Sequence, residues 1–97
     1  MPATAQAARG LYSWQGGDYS YDYKLERRIQ IHDGESDGND VKVQYATGGG
    51  DTRHELINKS GAYTNAERST KYWPSLHRSV EILPLRPDAL GPWKYPS

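Results

Sequence analysis

Tyr19-Ser20-Tyr21-Asp22-Tyr23-Lys24-Leu25-Glu26-Arg27-Arg28-Ile29-Gln30-Ile31 is the stretch that decides the fold class. Tyr19, Tyr21, Tyr23, Leu25, Ile29 and Ile31 share one phase of a two-residue repeat. Asp22, Lys24, Glu26, Arg28, Gln30 and His32 share the other. Side chains alternate between the two faces of a strand, so this rhythm predicts a strand with an apolar side on a core and a polar side in water. A helix would scatter the same residues around its circumference. Arg27 interrupts the apolar phase. It marks either a guanidinium stacked on a neighbouring ring or a bulge that resets the alternation.

Working outward, Asp33-Gly34-Glu35-Ser36-Asp37-Gly38-Asn39-Asp40 is built of turn formers and carboxylates, and Val41, Val43 and Tyr45 then alternate with Lys42, Gln44 and Ala46. Two alternating runs joined by such a loop read as an antiparallel hairpin. Gly48-Gly49-Gly50-Asp51 turns the chain again, Thr52 to Asn58 reads as a third strand, and Asn58-Lys59-Ser60-Gly61 as a further turn. Ala62 to Lys71 carries little signal, fitting a short strand near Tyr63 and Thr64 or a helical turn at Asn65-Ala66-Glu67-Arg68. Alternation returns from Ser75 to Leu85, with Leu76, Val80 and Ile82 opposite His77, Ser79 and Glu81, until Pro84 and Pro87 stop the strand. The expected class is all-β: a small antiparallel β-sandwich or barrel.

The 97 residues suit one domain. Residues 1–10 read as a flexible N-terminus. Residues 11–97 read as a single β domain with a Pro-rich tail from about residue 86. Phe is absent, but three Trp and eight Tyr supply the large apolar areas a sparse aliphatic set lacks. Trp14 and Trp93, in irregular flanks, are expected to cover the ends of a thin core. Twelve basic residues balance twelve acidic ones, giving zero formal charge. A nucleic-acid partner, which calls for a basic stripe, is therefore not expected. No apolar run is long enough to predict membrane insertion. Without cysteine there is neither a disulfide framework nor a thiolate metal site. Ala5-Gln6-Ala7 has the form of a signal-peptidase site but no apolar segment before it, and an extracellular location is the working expectation.

Catalytic signatures are wanting. Ser60 and Ser75 lie in no nucleophile elbow, and no carboxylate pair stands out for acid–base work, so the expectation is a protein that is not an enzyme. His32, His54 and His77 fall on three different strands and could meet as a zinc site only by topology; placement on exposed polar phases explains His32 and His77 without a metal. Asp33, Glu35 and Asp37 alternate ahead of Gly38 like the start of an EF-hand loop, but Gln44 stands where the bidentate Glu should be and strands replace the helices. Ordinary turn chemistry accounts for this loop. The rival reading is a looser calcium (Ca2+) site with Asp33, Glu35, Asp37, Asn39 and Asp40 as ligands.

Tyr72 and Trp73, flanked by Lys71 and followed by Pro74, suit a loop or strand edge. Aromatic and basic side chains on rigid loops anchor protein interfaces and stack on sugars. The functional expectation is a non-catalytic binding domain that recognises another protein or a polysaccharide through Tyr72, Trp73 and Arg78, with Arg68 and Lys71 as rim contacts. Two alternatives share the scaffold: a secreted inhibitor of a hydrolase, and a structural or assembly subunit pairing through an edge strand.

Overall fold

Arg27, with φ 51°, turns the chain inside the stretch quoted first, so that stretch is a hairpin and not one continuous strand. In the computed structural model, which describes residues 10–23 and 27–96, β1 (Tyr12–Gln15), β2 (Asp18–Tyr23) and β3 (Arg28–Asp33) form an antiparallel meander. The expectations for the N-terminus, for Ala5-Gln6-Ala7 and for Lys24, Leu25 and Glu26 lie outside the described residues. The chain then crosses to β4 (Val41–Thr47) and β5 (His54–Asn58), returns to β6 (Thr64–Ser69), and crosses again to β7 (Pro74–Glu81) and the short β8 (Ala89–Leu90). The result is a β-sandwich of two four-stranded antiparallel sheets, ordered β1-β2-β3-β6 and β5-β4-β7-β8.

The hairpin explains the main departure from the sequence pattern. Asp22 pairs with Ile29 and Ser20 with Ile31. Cross-strand partners share a face, so the inward residues are even-numbered in β2 and odd-numbered in β3. Asp18, Ser20, Asp22, Ile29 and Ile31 are all fully buried. Tyr19, Tyr21 and Tyr23, expected in the core, stand on the outer face. β7 likewise turns its polar phase to the other sheet, although Val80 on the opposite phase is fully buried as expected. His77, Ser79 and Glu81 pair with the core residues Tyr45, Val43 and Val41 and face inward, while Arg78 pairs with outward Gln44. His77, expected on an exposed face, is buried.

Two further expectations change. The segment between Asp33 and Val41 does not close a hairpin, because β3 and β4 belong to different sheets; it carries the chain across the sandwich. The weak Ala62–Lys71 region contains a full strand, β6, whose polar sequence is placed by its ladder with β3 and not by alternation. The C-terminal segment is tied down: β8 pairs with β7, and His77 and Lys94 exchange backbone hydrogen bonds of 3.0 and 2.8 Å.

The interior is divided. Where β3 faces β4, Ile29, Ile31, Val41, Val43 and Tyr45 pack together with Leu56 and Ala66 against them. Each buried aliphatic chain there contributes roughly 1.5–3 kcal/mol. Where β1 and β2 face β7 the interior is polar. The Ser20 hydroxyl donates to His77 Nδ1 at 2.6 Å, and His77 Nε2 donates to Asp22 Oδ1 at 2.9 Å. These ring roles are those of the neutral tautomer with its proton on Nε2, which gives each contact one donor. Ser13 Oγ accepts from Ser79 N at 3.2 Å and donates to the Pro92 carbonyl at 2.5 Å.

Losing the imidazole leaves the buried Ser20 hydroxyl and Asp22 carboxyl without their partner, at about 1–3 kcal/mol for each stranded group. His77→Ala is therefore expected to lower the unfolding free energy by that amount in urea titrations. Ser20→Ala should cost about 1 kcal/mol. Equal losses in the two variants would show that the imidazole is not the pivot of the seam.

Candidate functional site

The side chains that β2 turns outward meet those of β1 in a continuous aromatic surface. Gly16, at φ 58°, and Gly17 make the tight β1–β2 connection that puts Trp14 opposite Tyr19 and Tyr12 opposite Tyr21. Ring centroids are 4.9 Å apart for Trp14–Tyr19 and 4.4 Å for Tyr12–Tyr21. Tyr23 stands edge-on to Tyr21 at 4.7 Å, and Tyr19 stacks on His32 at 4.7 Å. Tyr12 and Trp14 are nearly parallel, 21° apart with centroids at 6.0 Å, and are 47% and 52% exposed. The expectation that Trp14 covers a core end is overturned: its strand turns Ser13 inward and the indole out.

A polar strip from β3 and β6 borders these rings. Arg28 lies 4.3 Å over the Tyr23 ring and pairs with Glu67 at 2.9 Å. The Tyr23 hydroxyl donates to Gln30 Oε1 at 3.1 Å, and His32 Nδ1 meets Asn65 Oδ1 at 2.5 Å. Burial pushes the Tyr19 and Tyr23 phenols above their ordinary range, with Glu67 adding to both, so each keeps a hydroxyl proton to donate. Aromatic faces beside amide, guanidinium and carboxylate groups can hold a ligand that is apolar on one side and rich in hydroxyls on the other.

Of the residues expected to bind, Lys71, Tyr72 and Trp73 lie together between β6 and β7, with Lys71 Nζ 5.4 Å from the Tyr72 ring centroid. Tyr72 and Trp73 are exposed, and the Trp73 carbonyl accepts from Gly48 N at 2.8 Å. Lys71 and Tyr72 line a shallow open pocket with Tyr45, His54, Ser69 and Thr70. Arg68 is held by the Tyr45 hydroxyl at 2.9 Å and the Glu55 carbonyl at 3.3 Å. Arg78, on the outer face of the second sheet, donates to Gln44 at 2.7 Å and lies 4.3 Å over Trp93. Both arginines have partners of their own, and the Tyr45 that holds Arg68 lines the pocket with Lys71 and Tyr72.

The three histidines do not converge. His32 is on the outer face of the first sheet, His54 is exposed at the start of β5, and His77 is inside. Ser20, His77 and Asp22 do form a serine–histidine–carboxylate chain that sequence reading missed, because its members sit on two strands that meet only across the sandwich. All three are 0% exposed. A nucleophile needs access to substrate, so this chain holds the sheets together and does not act on a substrate.

The acidic loop folds back on the sandwich. One carboxylate oxygen from each of Asp18, Glu35 and Glu81 lies within 4.8 Å of the others. Asp33 Oδ1 accepts from Glu35 N at 3.1 Å, Asp37 Oδ1 from Asn39 N at 3.0 Å, and Asn39 Nδ2 donates to Glu81 Oε2 at 3.0 Å. Of the five sequence-derived calcium ligands, only Glu35 belongs to the convergent trio. Asp33, Asp37 and Asn39 brace it, and Asp40 uses its backbone carbonyl to accept from Ile82 N. Burial drives the Asp18 carboxyl up to about 7, with the neighbouring Glu35 adding to the rise and the Gly34 N–H opposing it. Glu81 is also raised, first by its contact with the Asp37 carboxyl and then by burial. Asp18 and Glu81 come from strand positions remote from the loop, and no local spacing points to either.

The chain matches no protein-family model, no curated protein and no solved structure.

The inverted first sheet yields a direct test. Ser13→Ala removes a buried hydroxyl that serves Ser79 N and the Pro92 carbonyl, and is expected to cost about 1–3 kcal/mol. Trp14→Ala removes a larger but half-exposed ring from cross-strand contacts worth about 0.2–1 kcal/mol each. Denaturant midpoints should fall further for the serine than for the tryptophan; the reverse order would place the indole inside.

Proposed function

We propose that this domain is a non-catalytic binding module for an extended carbohydrate, with the outer face of β1 and β2 as its platform. The observation that carries the reading is the nearly parallel, half-exposed pair Tyr12 and Trp14, continued by Tyr19 and Tyr21 and bordered by hydrogen-bonding side chains. A sugar ring offers C–H groups to an aromatic face and hydroxyls to amides and carboxylates at its rim. An open face suits a long chain passing over it better than a small sugar held in a cleft, where ligands are usually buried on most sides. The reading moves the recognition surface from the Tyr72–Trp73 loop to the strand face, where more rings adjoin. A polysaccharide ligand agrees with an extracellular role for the protein.

Retention of the purified chain on cellulose, chitin, xylan and mixed-linkage glucan tests this reading. Binding to at least one of them is expected, with Trp14→Ala weakening it at least tenfold, or about 1.4 kcal/mol. Trp73→Ala should leave it within twofold. Retention on none of these polymers, or loss with Trp73→Ala but not with Trp14→Ala, would overturn it. Capture of a single hydrolase through the Trp73 loop would favour inhibition instead.

A further inference from the structure

At one end of the polar seam Asp22 is matched by His77, and at the other end Asp18 is matched by Glu81 with Glu35 beside them. The first match joins a hydrogen-bond donor to an acceptor. The second brings three carboxylates together, two of them from strands buried inside the sandwich. Among the described residues no Lys, Arg or His forms an ion pair with Asp18, Asp33, Glu35, Asp37 or Glu81. Like charges at this separation cannot all stay ionised out of water without a cation or a shared proton.

The hydrogen bonding of Asp18 separates a built site from an accidental cluster. The residue is 0% exposed, and its Oδ1 accepts from Gly34 N at 2.9 Å. Its Oδ2 is also buried and has no hydrogen-bond partner. An orphaned carboxylate oxygen is costly unless something binds it, and Asp18 converges with two further carboxylates.

The backbone is shaped to admit them. A Cβ on Gly17 would come within 2.9 Å of Glu35 Cγ, and one on Gly34 within 2.0 Å of the Gly17 carbonyl. A Cβ on Gly16 would lie 3.1 Å from Glu35 Oε1. Glycine at these positions lets the β1–β2 turn and the acidic loop touch, and the Glu35 carboxylate lies across the turn.

From the convergence of the three carboxylates, the orphaned Asp18 oxygen and the glycine-lined approach, we infer that Asp18, Glu35 and Glu81 bind one calcium ion between the two sheets. Calcium takes six to eight oxygens at about 2.3–2.6 Å, so two ligands on one ion can stand about 5 Å apart, a span that contains the trio. Magnesium holds its ligands at about 2.0–2.1 Å and keeps more of its own water, which suits such a spread less well. The ion closes the open end of the seam by joining β2, the acidic loop and β7. This inference does not rest on the carbohydrate reading, and its test involves no carbohydrate.

The experiment is thermal unfolding of the full chain in CaCl2 and in EDTA, with NaCl and MgCl2 controls, together with calorimetric titration of CaCl2 into the chelator-treated protein. One bound ion is expected, with a midpoint rise of roughly 4–8 °C or more at saturating calcium. NaCl at matched ionic strength should not reproduce the rise. Asp18→Asn and Glu35→Gln should abolish it, yet unfold in EDTA at or above the wild-type midpoint, because each removes a like charge. Glu35 is only partly buried, so E35Q gives the answer should D18N fold poorly. No calcium shift in the wild type would show that the carboxyls share a proton and would overturn the inference. An undiminished shift in E35Q, or an equal response to magnesium or sodium, would overturn it too.

Discussion

The imidazole of His77, held between Ser20 and Asp22 with no access to solvent, is the contact on which this sandwich turns. Hydrophobic burial alone does not select which face of β2 points inward, since Tyr19, Tyr21 and Tyr23 offer far more apolar area than Asp18, Ser20 and Asp22. The polar face wins because β7 presents a matching one and because Ile29 and Ile31, across the hairpin, must reach the aliphatic half of the interior. Buried polar contacts of this kind add little net stability compared with a well-packed apolar equivalent. Their directionality instead ties register to hydrogen bonding: a one-residue slip of β2 would break the Ser20–His77–Asp22 chain and drive the tyrosines inside.

The same choice creates the outer surface. Once β2 commits its small polar residues to the interior, its rings must stand in water beside those of β1, where they shield one another in tilted and edge-on contacts. Recognition surface and interior are thus two sides of one strand. Lengthening or reversing the interior alternation would erase the exterior platform, so the binding face cannot drift independently of the fold.

Much of the architecture was legible from alternation. Val41, Val43 and Tyr45 read as inward-facing and are so, and the glycine-rich turn after Thr47 and the turn after Asn58 fall where composition put them. The failures share one cause. Alternation reports that a segment has two faces but not which of them faces the other sheet. In β2 the more hydrophobic face is the outer one, and in β7 it points away from the other sheet with Val80 still buried, a choice made by contacts between strands remote in sequence. Thr64-Asn65-Ala66-Glu67-Arg68-Ser69 was obscure for another reason: it is an edge strand with only Ala66 packed on the core, so its strand character lies in its ladder with β3. The acidic loop was visible as a cluster, but Asp18 and Glu81 were not, since nothing local distinguishes a strand carboxylate that will meet a distant one.

The Ser13 hydroxyl has a kinetic consequence. It bridges Ser79 N and the Pro92 carbonyl, and its bond to Pro92 joins positions 79 residues apart. Such a link spans nearly the entire described chain and carries a loop-closure cost that a local turn avoids. Topologies dominated by distant pairings fold in milliseconds to seconds, while those built from neighbours take far less time. Until β7 docks, the face of β2 bearing Asp18, Ser20 and Asp22 lacks its cover, and the first meander remains a ribbon wet on both sides.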